Sequence, residues 1–188
     1  AMVLVLGNTM ASAGVFKKGL RSIASTAQTP SRAIMITAFV SAVCCWINWG
    51  FGLVIGALLA KEIAKQVKGV DYRLLIASAY SGFVVWHGGM SGSIPLGIAA
   101  VGADGVVANT GGVITEAIPT SLTIFSPMNL VISAIIIIGL PFVCRAMMPD
   151  KEHTIEVDAA LLVEDAEKVY KIETPADKLE HSRIIWAI

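Results

Sequence analysis

The sequence predicts an all-α polytopic membrane protein that contains a re-entrant helical hairpin and a broken transmembrane helix. Three observations carry that expectation. Hydrophobic residues make up 55% of the 188 and charged residues only 15%, at a mean hydropathy of +0.74, too apolar for an ordinary soluble domain. Uncharged intervals recur at lengths that suit membrane crossing. Two of them are interrupted by polar, glycine-rich stretches that an unbroken helix would not keep, "CWINWGFG" at 45–52 and "WHGGMSGSIP" at 86–95.

Taken in order, residues 1–16 read as the end of a first transmembrane helix and residues 17–32 as a basic cytoplasmic loop holding Lys17, Lys18, Arg21 and Arg32. Residues 33–60 carry no charge and, at 28 residues, exceed one crossing. A single span there would put the basic segments on its two sides on opposite faces of the membrane. A hairpin turning near Asn48, Trp49 and Gly50 keeps both in the cytoplasm, which the excess of Lys and Arg in cytoplasmic loops favours, with the single span as the alternative. The fifteen residues from Ala33 to Ile47 rise about 22 Å, enough to bring the tip to mid-membrane. Gly52 and Gly56 form a GxxxG face on the second arm, suited to close packing.

Residues 61–73 read as a second basic loop. Residues 74–103, 30 long and uncharged apart from titratable His87, read as a discontinuous transmembrane helix. Residues 104–118 hold no Lys or Arg and are expected outside; residues 119–143 read as a plain transmembrane helix. Residues 144–183 form a cytoplasmic linker, within which Thr174, Pro175 and Asp177 suit a helix start, and residues 184–188 begin another span. Residues 145–183 hold 6 Lys/Arg against 10 Asp/Glu, so an acidic tail follows a mildly basic apolar part.

Non-helical backbone at membrane depth survives only where protein or a water-lined cavity satisfies it. Each break therefore points to a lined cavity, and the rise of about 20 Å from Leu74 to Trp86 sets the second break at a depth similar to the first. Discontinuous helices of this kind present amide groups to an anionic substrate and carbonyls to a coupling cation. The amides around Gly88–Ser93 are the expected holders of a carboxylate, with the hydroxyls of Ser91 and Ser93 beside them. Those serines have a plainer alternative, bonding back into a helix or packing at a small-residue seam. His87 is either functional, as an intramembrane ionisable group, or a neutral imidazole bonded to a carbonyl. Asn48 either meets substrate or caps the turn, and Trp46, Trp49 and Trp86 either wall a pocket for a short alkyl chain or fill the core.

Other chemistry finds little support. "GGMSGS" departs from a nucleophile elbow at its final position, and "ANTGG" lacks the lysine of a phosphate loop. Cys44, Cys45 and Cys144 show no metal or redox spacing. A membrane-embedded enzyme using Ser91 and His87 lacks a third orienting group. No basic, aromatic patch suggests nucleic acid.

The stretches "CWINWGFGLVIGALLAKEIAK", "DYRLLIASAYSGFVVWHGGMSGSIPL", "PFVCRAMMP" and "LEHSRI", taken in order, resemble the short-chain fatty acid transporter family, the AtoE type. The resemblance implies the N-terminal half of an inverted-repeat permease of the ion transporter superfamily, set in the bacterial cytoplasmic (inner) membrane as a multi-pass protein. Asn48, Trp49 and Gly50 match the family's "INWG" motif; Trp86, Gly88, Gly89, Ser91, Gly92 and Ser93 match its tryptophan-glycine-serine motif. His87 departs from that motif, where the family carries glycine, so the resemblance gives it no obligatory proton-relay role.

The expected function is secondary active transport of short-chain fatty acids such as butyrate or acetoacetate, as symport with Na⁺ or H⁺ and with no other cofactor. A passive channel for small carboxylate anions is the alternative that the same breaks would build. The expected site is Asn48, Trp49, Gly50, Trp86, His87, Gly88, Gly89, Ser91, Gly92 and Ser93. Expected partners are a short-chain carboxylate, the lipid bilayer, the second half of the same chain and, in a homo-oligomer, another copy.

Overall fold

The computed structural model describes residues 14–100 and 103–162. Its elements are α1 (Gly14–Thr26), α2 (Pro30–Ile47), α3 (Trp49–Gln66), α4 (Tyr72–Ser81), a 3-10 segment (Gly82–Gly88), α5 (Ser93–Ala100), α6 (Ala103–Thr110), a 3-10 turn (Thr120–Leu122), α7 (Pro127–Ala146), and two further 3-10 turns at Lys151–His153 and Ala159–Leu162. The described residues are helical and contain no strand. Residues 1–13 and the helix start expected at Thr174 lie outside them.

Helix α1 occupies much of the stretch read as a basic loop. Leu20, Ile23, Ala24 and Ala27 recur at helical spacing and face inward, with Lys18 and Arg21 turned out, so the segment forms an amphipathic helix against α3. Glu62 of α3 secures it, pairing with Arg21 at 3.5 Å while Lys65 holds its other oxygen at 2.7 Å.

Helix α2 lies at the centre, packed on α3, α4, the 3-10 segment and α7. Thr29 caps its start, the hydroxyl accepting from the Arg32 amide at 3.3 Å, and Pro30 occupies the first turn, where its missing N–H costs nothing. One residue ends α2 and starts α3. Asn48 is extended (φ −150°, ψ 117°), its amide donating to the Cys44 carbonyl at 2.8 Å while its Oδ1 accepts from the Phe51 amide at 3.0 Å. The chain then folds back on itself. A Cβ at Gly52 would collide with the Cys45 backbone, and one at Gly56 would lie 3.0 Å from the Ser41 hydroxyl, contacts that progress in opposite directions along the two helices as antiparallel packing demands. Ala33, Ile34 and Ala38 of α2 meet Ile55, Leu59 and Ile63 of α3 and Leu75 and Ala79 of α4 in one core.

Among the described residues, two helices, α2 and α7, are long and apolar enough to cross a membrane, at 18 and 20 residues or about 27 and 30 Å. Helix α7 begins at Pro127 rather than at Pro119, because Ser126 caps it and the preceding residues turn through a 3-10 loop. Its Ile132, Ile135, Ile138 and Phe142 lie exposed, an apolar face where a soluble protein would carry charge.

Beyond α7 the chain returns to the start of α4. The buried carboxylate of Asp71 caps α4 through the Leu74 amide at 3.0 Å, accepts from the Ile155 amide at 2.9 Å and pairs with Arg73 at 2.8 Å. Tyr72 N–H donates to the Ile155 carbonyl at 2.9 Å, and Arg73 reaches the His153 carbonyl at 3.0 Å. The hydrogen bond from Arg73 holds the Asp71 carboxyl well below the usual carboxylate range; burial opposes this, and the Ile155 and Leu74 amides add to it.

Two outcomes follow from this packing. Gly52→Ala should destabilise the protein by about 1–3 kcal/mol through overpacking, whereas Gly19→Ala, with nothing within 4 Å of the new methyl, should stabilise it by about 0.5–1 kcal/mol; thermal unfolding in detergent compares them. Asp71→Ala should cost about 2 kcal/mol, the combined loss of a cap and a charged hydrogen bond. Because the Asp71 carboxyl is depressed, its contribution is present above the ordinary carboxylate pKa and disappears only as pH falls through the folded value. The difference between wild type and Asp71→Ala should therefore be flat from pH 5 to 8 in denaturation series and shrink only in strong acid.

Candidate substrate-binding site

The site grows from the place where the chain after α4 stops being α-helical. Gly82 lets the chain cross α2 closely, since a Cβ there would collide with the Ala42 amide, and from it the backbone tightens into the 3-10 segment. Phe83, Trp86 and Trp49 then meet: Phe83 and Trp86 stack with centroids 5.2 Å apart at 9°, and Trp49 stands edge-on to both at 6.0 and 5.7 Å. The His87 ring lies exposed, 3.9 Å from the Trp86 ring.

Past Gly88 the backbone is extended at Gly89 (φ −93°, ψ 176°) and runs against the hairpin tip. Any Cβ at Gly89 would collide with the Trp46 carbonyl, and its absence lets the next amide, Met90 N–H, donate to that carbonyl at 2.7 Å. Ser91 Oγ accepts from the Trp49 amide at 3.0 Å, satisfying an N–H that the start of α3 leaves without a helical partner. Tip and break are thus joined by two hydrogen bonds across 42 and more residues of sequence.

The third side comes from α7. Asn129 donates both amide hydrogens, to the Gly88 carbonyl at 2.8 Å and the Ile124 carbonyl at 2.7 Å, and a Cβ at Gly88 would lie 2.6 Å from its Oδ1 and 3.3 Å from the Ser133 hydroxyl. Beside this junction lies a cavity of about 440 Å³ lined by His87, Gly88, Ile94, Pro95, Ile98, Thr123, Ile124 and Asn129, within the usual size range of small-molecule sites.

The expected residues separate into roles. Trp49, Trp86, Gly89 and Ser91 form the junction, while His87 and Gly88 line the cavity. Asn48 caps α3 and Gly50 is buried in its first turn. Gly92 closes the turn by donating to the Gly89 carbonyl at 3.0 Å, and Ser93 is exposed at the start of α5. Three of the amides expected to face a ligand are already paired: Gly89 N–H donates to the Trp86 carbonyl at 3.1 Å, Met90 N–H to the Trp46 carbonyl of α2 at 2.7 Å, and Gly92 N–H to the Gly89 carbonyl at 3.0 Å. Apolar surroundings enforce that pairing, since an unsatisfied N–H there is costly. Asn129 and Thr123 were missed; the signal was an asparagine just behind "SP" in an otherwise apolar run. Among the described residues, no group of three or more His, Cys, Asp or Glu converges as a metal site would need.

Ser91→Ala should leave the Trp49 amide without its partner, speeding hydrogen exchange at that amide by roughly fivefold or more, for about 1 kcal/mol lost. Ser93→Ala should leave it unchanged, as exchange measured by mass spectrometry would show.

A family model described as "Short chain fatty acid transporter" matches residues 1–188. The chain is 42% identical over 191 residues to a protein of Escherichia coli (strain K12) named "Putative short-chain fatty acid transporter", covering all of this chain and 42% of that one. It is 41% identical over 194 residues to a protein of the same name from Haemophilus influenzae, covering 98% of this chain and 42% of the relative. The chain thus spans 42% of the length of each of these curated relatives. No solved structure matches it.

Proposed function

Because the chain belongs to the short-chain fatty acid transporter family, we propose that the complete protein is a secondary carrier which moves short-chain fatty acids such as butyrate or acetoacetate across the bacterial cytoplasmic membrane. The observation that carries this reading is the junction of hairpin tip and break, where Met90 N–H meets the Trp46 carbonyl and Ser91 Oγ meets the Trp49 amide beside a cavity. Irregular backbone gathered from two elements around a cavity is how carriers build a site near mid-membrane.

In this reading residues 33–60 re-enter from the cytoplasm, residues 74–103 form the discontinuous span, and residues 119–143 include the last span of this half. The basic segments around Lys18 and Lys68, against residues 104–118 without Lys or Arg, support that orientation. The relatives' greater length supports a second, inverted half that completes the site. The substrate stays chemically unchanged, as a transporter family implies. Moving a bare anion into a negatively charged interior costs about 2.3 kcal/mol per 100 mV, so transport is coupled to Na⁺ or H⁺. The break's paired amides reach the substrate only by exchanging partners, one protein carbonyl for a carboxylate.

Uptake of labelled butyrate by cells expressing the full-length parent tests this. Saturable uptake with countertransport, dependent on an ion gradient and lowered roughly fivefold or more by Ser91→Ala, is expected; Asn48→Ala should weaken it through the hairpin cap. Uptake that neither saturates nor countertransports would mean a channel, and uptake indifferent to both ion gradients would remove the symport.

A further inference from the structure

The cavity between the break, α5 and the loop before α7 shows more than a site's position. Its lining divides into three polar residues, His87, Thr123 and Asn129, and an apolar set of Ile94, Pro95, Ile98 and Ile124. A void of about 440 Å³ with that division suits a small molecule with one polar end and a short apolar chain. Asn129 governs its shape. Its two N–H groups are spent on two carbonyls from different walls, Gly88 of the break and Ile124 of the loop, so a single side chain holds the walls at a fixed spacing. Its Oδ1 remains as an acceptor beside Gly88. Ile98 is half-buried on α5, and its carbonyl accepts from the Ile118 amide at 3.3 Å, which ties α5 to the outer loop.

We propose that this cavity is the acyl-chain subsite of the carrier, in which Ile98 sets the chain length accepted and Asn129 is the positioning residue that keeps its walls together. The proposal rests on the carrier reading above and goes beyond it, since it places the selectivity on α5 and α7 rather than on the tryptophans of the junction. Each methylene buried against Ile98 and Ile124 should tighten binding roughly fourfold, until the chain meets the Ile98 side chain.

The experiment is competitive uptake of acetate, butyrate and hexanoate by cells or proteoliposomes containing the full-length parent, with KM and maximal rate measured for each acid. Ile98→Trp should fill the cavity and lower the hexanoate-to-acetate ratio of uptake efficiencies tenfold or more, mainly through KM. Ile98→Ala should raise the same ratio by about fourfold for each methylene newly accommodated, and serves if Ile98→Trp does not reach the membrane. Asn129→Ala should flatten the dependence on chain length, because walls no longer held together cannot measure it; a merely structural role would lower uptake of all three acids in proportion. Wild-type uptake with chain-length ratios unchanged in both Ile98 variants would overturn the subsite while leaving the carrier standing. A wild-type parent that takes up none of the three acids would overturn the carrier reading itself.

Discussion

The hydrogen bond from the Met90 amide to the Trp46 carbonyl is the contact on which the rest of the arrangement depends. The Met90 amide belongs to backbone that has left the helix, and the Trp46 carbonyl to the last turn of α2, where carbonyls run out of helical partners; such groups must find each other or stay costly. The bond forms only because Gly89 lacks a Cβ that would strike the Trp46 carbonyl. That approach needs the 3-10 segment to lie against α2, which Gly82 permits, and it needs the tip held in place by the close packing of α3 on α2 at Gly52. A handful of glycines thus sets the distance between three elements, and the aromatic stack of Phe83, Trp86 and Trp49 fills the space left beside them.

The ends of α2 at Asn48 and of the 3-10 segment at Gly89 were legible in the sequence because glycine and proline act locally, in "INWG" and "HGGMSGSIP". The close approach at Gly52 and Gly56 could be read for the same reason. What could not be read depends on partners distant in sequence. Helix α1 looked like a loop because its lysines and arginine stand out in the sequence, while the inward side formed by Leu20, Ile23 and Ala24 makes sense only against α3. Asn129 looked incidental in a long apolar run until its amide was seen to bridge Gly88 and Ile124. The Met90 amide read as open to ligand because no local pattern names the Trp46 carbonyl, far back on α2, that takes it up. Asp71, in a segment read simply as a basic loop, gathers the returning chain at Ile155 through contacts 84 residues apart.

That last contact gives the chain after α7 a defined course. The chain leaving α7 does not drift from the bundle but is held at the start of α4, by Asp71 with Arg73 and by the Tyr72 amide. Helix α4 leads directly into the 3-10 segment, so the segment after α7 and the element that carries the break share one anchor. The exposed apolar face of α7 stands on the opposite account, open to lipid or to the rest of a chain that in the relatives is far longer.

The most direct test of the account is substrate protection at the break. His87 is exposed and lines the cavity, so a His87→Cys variant of the full-length parent, with the half-buried Cys44 changed to Ser and the Cys44→Ser parent as control, should react with a small maleimide in membrane vesicles; Cys45 and Cys144 are buried. The account predicts that butyrate slows this labelling saturably, over the concentrations that saturate uptake, while sulfate does not. Labelling that butyrate leaves unchanged, in a variant that still takes up butyrate saturably, would contradict the placement of the site at the meeting of tip and break.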